Sequence, residues 1–219
     1  MDDRTREARR RTLAGLALAA TVLGGCSLLP TPQAPPALHD LGIAGAPAAT
    51  SVRLRATLAL PDPTAPGWLD TTAMTYRFID ADGSRPRLYA RNRWTAPPAE
   101  LLGARVRARL APLVEPGLAS SRDGVAPDYV VRIELEEFSQ VFDGPSTSHG
   151  RLRARATLID GSRRATIAQR IFAFDRPAPS ADAAGGAAAL AAASDALIDA
   201  LVEWLSVALP APGTVRAPG

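Results

Sequence analysis

The sequence predicts a single mixed α/β domain carried behind an N-terminal export segment. Three observations lead there. The chain has 219 residues, 47% of them hydrophobic, which suits one core of ordinary size and leaves little for a second. Several segments alternate apolar and polar residues with the period of a half-buried strand. Two stretches, beginning near Pro98 and Ala183, carry apolar residues at helical spacing instead.

The elements follow in order. Residues 9–26 begin with Arg9, Arg10 and Arg11, continue through an apolar run from Thr12 to Leu23, and end Leu23-Gly24-Gly25-Cys26. A bilayer-spanning helix needs about 20 apolar residues, so this shorter run reads as a targeting segment. Its ending has the form of a lipobox, with cleavage after Gly25 and lipid attached to Cys26. The thiol is the nucleophile that takes the lipid, and the small residues before it let the peptidase approach the backbone. Several acyl chains together hold a protein stably on a membrane where one does so only marginally. Ser27 follows, and without Asp at that position a Gram-negative cell favours the outer membrane. Residues 26–37 are rich in proline and read as an extended tether, because proline removes backbone donors and fixes φ.

Residues 38–43 and 51–60 are expected strands, the second placing Val52, Leu54, Ala56, Leu58 and Leu60 on one face. Trp68, Leu69 and Asp70 begin a turn that leads into a strand at 74–78. Asp82-Gly83-Ser84 is a turn signal, and 87–90 a further strand. Residues 98–115 form the first expected helix, with Leu102, Val106, Leu110 and Leu113 as its stripe and Arg105, Arg107 and Arg109 mostly off it; Pro112 kinks it or ends it early. Residues 128–138 are a strand with Tyr129, Val131, Ile133 and Leu135 on one face. Residues 150–160 form its hairpin partner, alternating Leu152, Ala154, Ala156 and Leu158 with Arg151, Arg153, Arg155 and Thr157. A third strand spans 165–175. An Ala-rich helix over 183–209 shows Leu190, Leu197, Leu201, Trp204 and Ala208 along its apolar side, and 210–219 reads as a disordered tail.

Charge and residue counts narrow the chemistry. The net charge is +3 and every one of the 25 Lys-plus-Arg residues is arginine, but the first 25 residues account for most of the excess. The mature chain is therefore near neutral, which argues against nucleic-acid binding. The single Cys excludes an internal disulfide and leaves no cysteine-ligated structural metal centre. His39 and His149 are the only histidines and have no metal-ligand spacing. Ser148-His149 fails as a nucleophile and base, because neighbours on an extended chain point in opposite directions. Glu134 and Glu136 share the polar face of a strand, with Glu137 beside them, and read as a solvated surface. Asp123 and Asp128 flank a turn without a calcium-type loop. Trp68, Trp94, Trp204, Phe138 and Phe142 read as core ahead of a lipid groove. No catalytic, cofactor or metal set emerges, and the chain is expected not to be an enzyme.

The order of these segments carries a resemblance. The lipobox and Pro-rich spacer are followed by Leu38-His39-Asp40-Leu41, an alternating strand ending at Pro61, Trp68-Leu69-Asp70 and Met74-Thr75-Tyr76-Arg77. Tyr89 and Trp94 then precede a Leu-rich helix. The second half adds Tyr129 to Leu135, Phe138, two strands after Gly150, Phe172, and Leu201-Val202-Glu203-Trp204-Leu205. Together they resemble the ABC-type transport auxiliary lipoprotein family, of the paraquat-inducible protein C type, over residues 38–209. His39 stands where relatives often have an aromatic residue, and Thr95 to Pro98 lack the acid that relatives often place ahead of the proline.

The resemblance implies a three-layer α/β/α domain with a mixed sheet of about five strands, similar to anticodon-binding domains. It implies partners, namely a mammalian-cell-entry domain protein with an ABC permease and ATPase, and leaves self-association open. The expected role is a non-enzymatic component of a lipid transport system across the Gram-negative envelope. It would dock that system at the outer membrane with its domain in the periplasm. The alternatives are a periplasmic lipid-binding carrier and, further off, a membrane-anchored hydrolase.

Overall fold

The computed structural model describes residues 34–43, 52–79, 83–120 and 124–210. The signal segment, Gly25, Cys26, most of the tether, Asp82, Asp123 and the tail from 211 on lie outside them. In chain order the elements are β1 (Ala37–His39), β2 (Leu54–Arg55), β3 (Leu58–Ala59), β4 (Ala73–Phe78), β5 (Arg87–Trp94) and α1 (Pro98–Leu110). A 3-10 turn (Ala111–Leu113) leads to β6 (Val114–Glu115), β7 (Leu118–Ala119), β8 (Tyr129–Phe142), β9 (Ser148–Asp160), β10 (Thr166–Pro177) and α2 (Ala183–Ala208).

Strands β8, β9 and β10 form an antiparallel meander whose register follows from the alternation. Val131 faces Leu158, Ile133 faces Ala156, Leu135 faces Ala154 and Phe138 faces Leu152, and these residues are almost wholly buried. On the opposite face Glu134 sits across from Arg155 and Glu137 across from Arg153. One face is thus apolar and the other charged, as an antiparallel sheet with one solvated side requires. A bulge between Leu135 and Glu137 shifts the alternation by one residue. It turns Glu137 to the charged face and keeps Phe138 in the core. The other edge of β8 is shared: its start pairs parallel with β3, its end pairs parallel with β4, and Thr64 bridges to Glu134 between them. Beyond these, β4 pairs antiparallel with β5, β5 parallel with β1, and β3 parallel with β7, while β2 and β6 form a separate parallel pair.

Both helices cover the apolar face. Helix α1 has Pro98 in its first turn, where a missing N–H costs nothing, and Leu102, Val106 and Leu110 are fully buried. Pro112 cannot donate to the preceding turn, so the α-helix stops at Leu110 and tightens into the 3-10 turn. Helix α2 begins at Asp182, whose carboxylate accepts from Gly185 N at 2.8 Å. Leu190, Ala193, Leu197, Leu201 and Leu205 then form a stripe no more than 1% exposed. That helix is long and apolar enough to cross a membrane by composition, but its stripe is spent on the sheet. Gly150 of β9 admits it closely, since a Cβ there would lie 2.7 Å from Leu190 N and 2.8 Å from Ala189 C.

Four expectations change. The described residues contain two helices, and the second face of β8 and β9 carries cross-strand ion pairs in place of the apolar side chains that a further helix layer would need. The sheet has eight strands rather than about five; β4, β5, β8, β9 and β10 are the long ones, and the other three are two or three residues each. The strand expected over 51–60 divides into β2 and β3, which pair with different partners. Leu54, Leu58 and Leu60 are nonetheless buried as the alternation implies. The first expected strand is shortened to Ala37–His39, and β6 and β7 are additional.

Candidate functional site

Two places concentrate polar chemistry: the junction where the tether enters the domain, and the charged sheet face. At the junction, β1 lies parallel to β5 at the sheet edge, with Ala37, Leu38 and His39 in register with Asn92, Arg93 and Trp94. His39 Nε2 meets Asn92 Oδ1 at 2.9 Å, and Thr95 N donates to His39 O at 2.8 Å. Asp40 accepts from Gly42 N at 2.7 Å, closing a turn in which Gly42 takes a φ of 70°. Arg105 of α1 then reaches across. Its Nη1 donates to Leu41 O at 2.9 Å and Gly42 O at 3.1 Å, while Nε and Nη2 each donate to Asp195 of α2 at 2.8 Å. Arg109 adds a bond to Asp195 at 3.2 Å and one to Asp199. Both arginines are buried, so each guanidinium is desolvated and needs these partners. Two doublets at helical spacing, Arg105 with Arg109 and Asp195 with Asp199, therefore lock α1 to α2 and hold the chain just after β1. Beside them lies an open groove of about 340 Å³, bordered by His39, Asp40 and the alanines of the first turns of α2.

On the charged face, Arg155 bonds Glu134 at 3.4 Å and Glu136 at 2.5 Å, and Arg153 bonds Glu136 at 2.6 Å. Arg77 bonds Glu137 at 3.1 Å and lies 5.3 Å from the centre of the half-exposed Trp68 ring. Arg151 holds Asp175 through two bonds of 2.9 Å, and this pairing, assisted by the nearby His149, holds the Asp175 carboxyl below the usual carboxylate range. The face is a neutralised ladder, with no convergence on a common point.

Ser148 and His149 diverge. Ser148 is buried and accepts from Gln140 Nε2 at 2.7 Å, whereas His149 lies on the opposite face, mostly covered, with Nδ1 on Asp143 at 2.8 Å and Nε2 3.8 Å from Asp175. Gln140 also accepts from Tyr89 OH at 2.7 Å, and burial raises the Tyr89 phenol to about 12. Asp128 accepts from Thr57 N at 2.8 Å, a structural role. Trp94 and Phe138 are buried together with ring centres 5.5 Å apart, Phe142 is nearly buried, and Trp204 packs against Phe172. Among the described residues no group of three or more His, Cys, Asp or Glu could hold a metal. Sequence reading missed the Arg105 and Arg109 clamp. Its signal was present, because charges repeated four apart on both helices require facing partners wherever a helix is buried on most sides.

A family model described as ABC-type transport auxiliary lipoprotein component matches residues 39–202. The chain belongs to that family. Among solved structures, a Xanthomonas campestris protein of the DUF330 family model is 21% identical with a TM-score of 0.68, over 78% of this chain and 95% of that one. An uncharacterized protein is 14% identical with a TM-score of 0.60, over 78% and 99%. Both share the fold. A lipoprotein from Neisseria meningitidis, GNA1162, is 13% identical over 69% and 98%, with a TM-score of only 0.35. A comparison with curated proteins finds no match. As a transport auxiliary lipoprotein, the chain has a transport-related role and a membrane-anchored class of location. The match begins at His39, so the clamp at Leu41 and Gly42 lies inside the family domain.

Proposed function

We propose that the chain is a non-enzymatic lipoprotein component of an ABC transport system that moves lipid between the two membranes of a Gram-negative envelope. It works beside a mammalian-cell-entry domain protein, a permease and an ATPase. Lipid on Cys26 holds it at the outer membrane with its domain in the periplasm. The observation that carries this reading is the family match across residues 39–202. The junction supports it, since Arg105 ties the residues just after the tether to both helices, as suits a domain held by its N-terminus. A carrier that encloses lipid has less support, because it needs a walled apolar cavity and the groove beside β1 is open and bordered by His39 and Asp40.

The test is co-purification of the tagged full-length chain after cross-linking in its native cell. Enrichment of a mammalian-cell-entry domain protein together with a permease or ATPase is expected. Recovery of none of the three above an unrelated lipoprotein control would sink the reading.

A further inference from the structure

Strand β10 is twelve residues long and pairs only with β9 among the described residues. Its other edge presents unpaired backbone donors and acceptors at every second residue. Proline does not interrupt it before Pro177, and glycine does not interrupt it at all. It is also far more exposed than β8 or β9: eight of its twelve residues are exposed, against the unbroken burial of β8 beyond Glu137.

The charges along this edge are of one sign. Arg163 is paired with Asp160, and Asp175 with Arg151. That leaves Arg164, Arg170 and Arg176, which have no carboxylate partner among the described residues. Two of them are held in place by rings: Arg170 lies 5.2 Å from the centre of Phe172, and Arg176 lies 5.4 Å from that of Phe174. Register with Ala156 and Gly150 puts Arg170 and Arg176 on the helix side of the sheet. Ile171, opposite Arg155, is on the other side and is 46% exposed; beyond Gln169 on that side comes Ile167, 39% exposed, at the register shift between Thr166 and Ala168. The edge is therefore two-sided, with cations above and branched apolar side chains below.

We propose that the β10 edge is a docking site for an extended segment of a partner protein that alternates acidic with β-branched apolar residues and adds to the sheet as a further strand. Main-chain bonds along the edge supply affinity and the alternation supplies selectivity. Carboxylates on one side of the added strand meet Arg170 and Arg176, and its apolar residues lie against Ile167 and Ile171. A second copy of this chain fits worse. Antiparallel pairing of two β10 strands about Ala173 would set Arg170 opposite Arg176 of the other copy, and like charges directly opposed are destabilising. Edge charges guard sheets against self-pairing, and here the arginines that repel a copy attract a carboxylate row. The inference goes beyond the transport reading and stands without it, since it rests on the edge alone.

The test uses the full-length chain and a fluorescein-labelled, acetylated ten-residue peptide alternating Glu and Val. Three control peptides accompany it: one with alternate backbone nitrogens methylated, one with Lys in place of Glu, and one with the same composition in two blocks. The alternating acidic peptide is expected to bind at least tenfold more tightly than each control and to slow hydrogen exchange at alternate β10 amides. R170Q combined with R176Q is expected to weaken it at least tenfold; because the peptide controls leave the protein unaltered, a poorly folding variant would not decide the matter. Equal binding of the methylated peptide would overturn the proposal, since charge alone would then suffice. Protection confined to residues outside β10 would overturn it, as would dimerisation of the chain through this edge. So would binding only to phosphatidylglycerol vesicles with the same arginine dependence, which would make the edge a membrane contact.

Discussion

Replacing Arg105 with Met leaves Leu41 O and Gly42 O without their donor and reduces Asp195 to its bond with Arg109. Breaking a buried pair in this one-sided way is strongly destabilising, and a loss of about 3 kcal/mol in urea unfolding is expected. An R105M variant unfolding within about 0.5 kcal/mol of the parent would remove the clamp from the account. Acid should act through Asp175. Its carboxyl is held below the ordinary carboxylate range by Arg151, so its folded pKa lies under its unfolded one. The stabilisation is present above the unfolded value and is lost as pH falls through the folded one. An NMR titration should show Asp175 rising towards an ordinary carboxylate value in R151M. Tyr89 works with the opposite sign: raised to about 12 by burial, it stabilises the fold fully below its unfolded value near 10 and ceases to as pH climbs to the folded value. Phenolate absorbance at pH 11 should be higher in the denatured chain than in the native one by about 0.8 of a tyrosine.

At the scale of elements, the contact between α2 and β9 is the most tightly specified. A Cβ on Gly150 would meet backbone atoms of Leu190 and Ala189, and backbone cannot swing aside as a side-chain tip can. Overpacking of this kind costs about 2 kcal/mol. G150A should lower the melting temperature by several degrees, whereas G67A, with nothing within 4 Å of the added atom, should leave it nearly unchanged; equal effects would remove the close approach as the cause. The elements themselves were largely legible. Strict alternation in Val131 to Leu135 and Leu152 to Leu158 determines which sides of β8 and β9 face the core, and the spacing of Leu102, Val106 and Leu110 does the same for α1. The bulge after Leu135 was not legible, because Glu136 and Glu137 look alike to any pattern and only the pairing with Arg153 separates them. Strands β6 and β7 were hidden for another reason. At two residues each they exist through parallel pairing with distant β2 and β3, a tertiary effect with no local period.

For the whole molecule, mixed α/β composition could be read from the segments, and the family from their order. The number of layers could not: alternating Arg and Glu on β8 and β9 is compatible with solvent or with a covering partner, and the ion pairs across strands become visible only in the register. The candidate site was legible in the same partial way. The lipidation expectation at Cys26 comes from the residues before it and lies outside the described residues, while the clamp at the junction joins residues 64 and 90 positions apart. At this scale the expected outcome of C26S is release of the protein from the membrane fraction into the soluble one, read by fractionation with the folded domain intact; retention on the membrane would refute lipid anchorage through that residue. The junction also determines how a domain anchored through its N-terminus, as proposed, would bear load. Tension along the residues ahead of Ala37 enters the fold at the beginning of β1, which runs parallel to β5, and the guanidinium of Arg105 grips the chain just beyond that strand's other end. Slack taken up by movement of one membrane relative to the other would then be resisted by several bonds strained together in shear, passing the strain into both helices instead of peeling the first strand away one bond at a time.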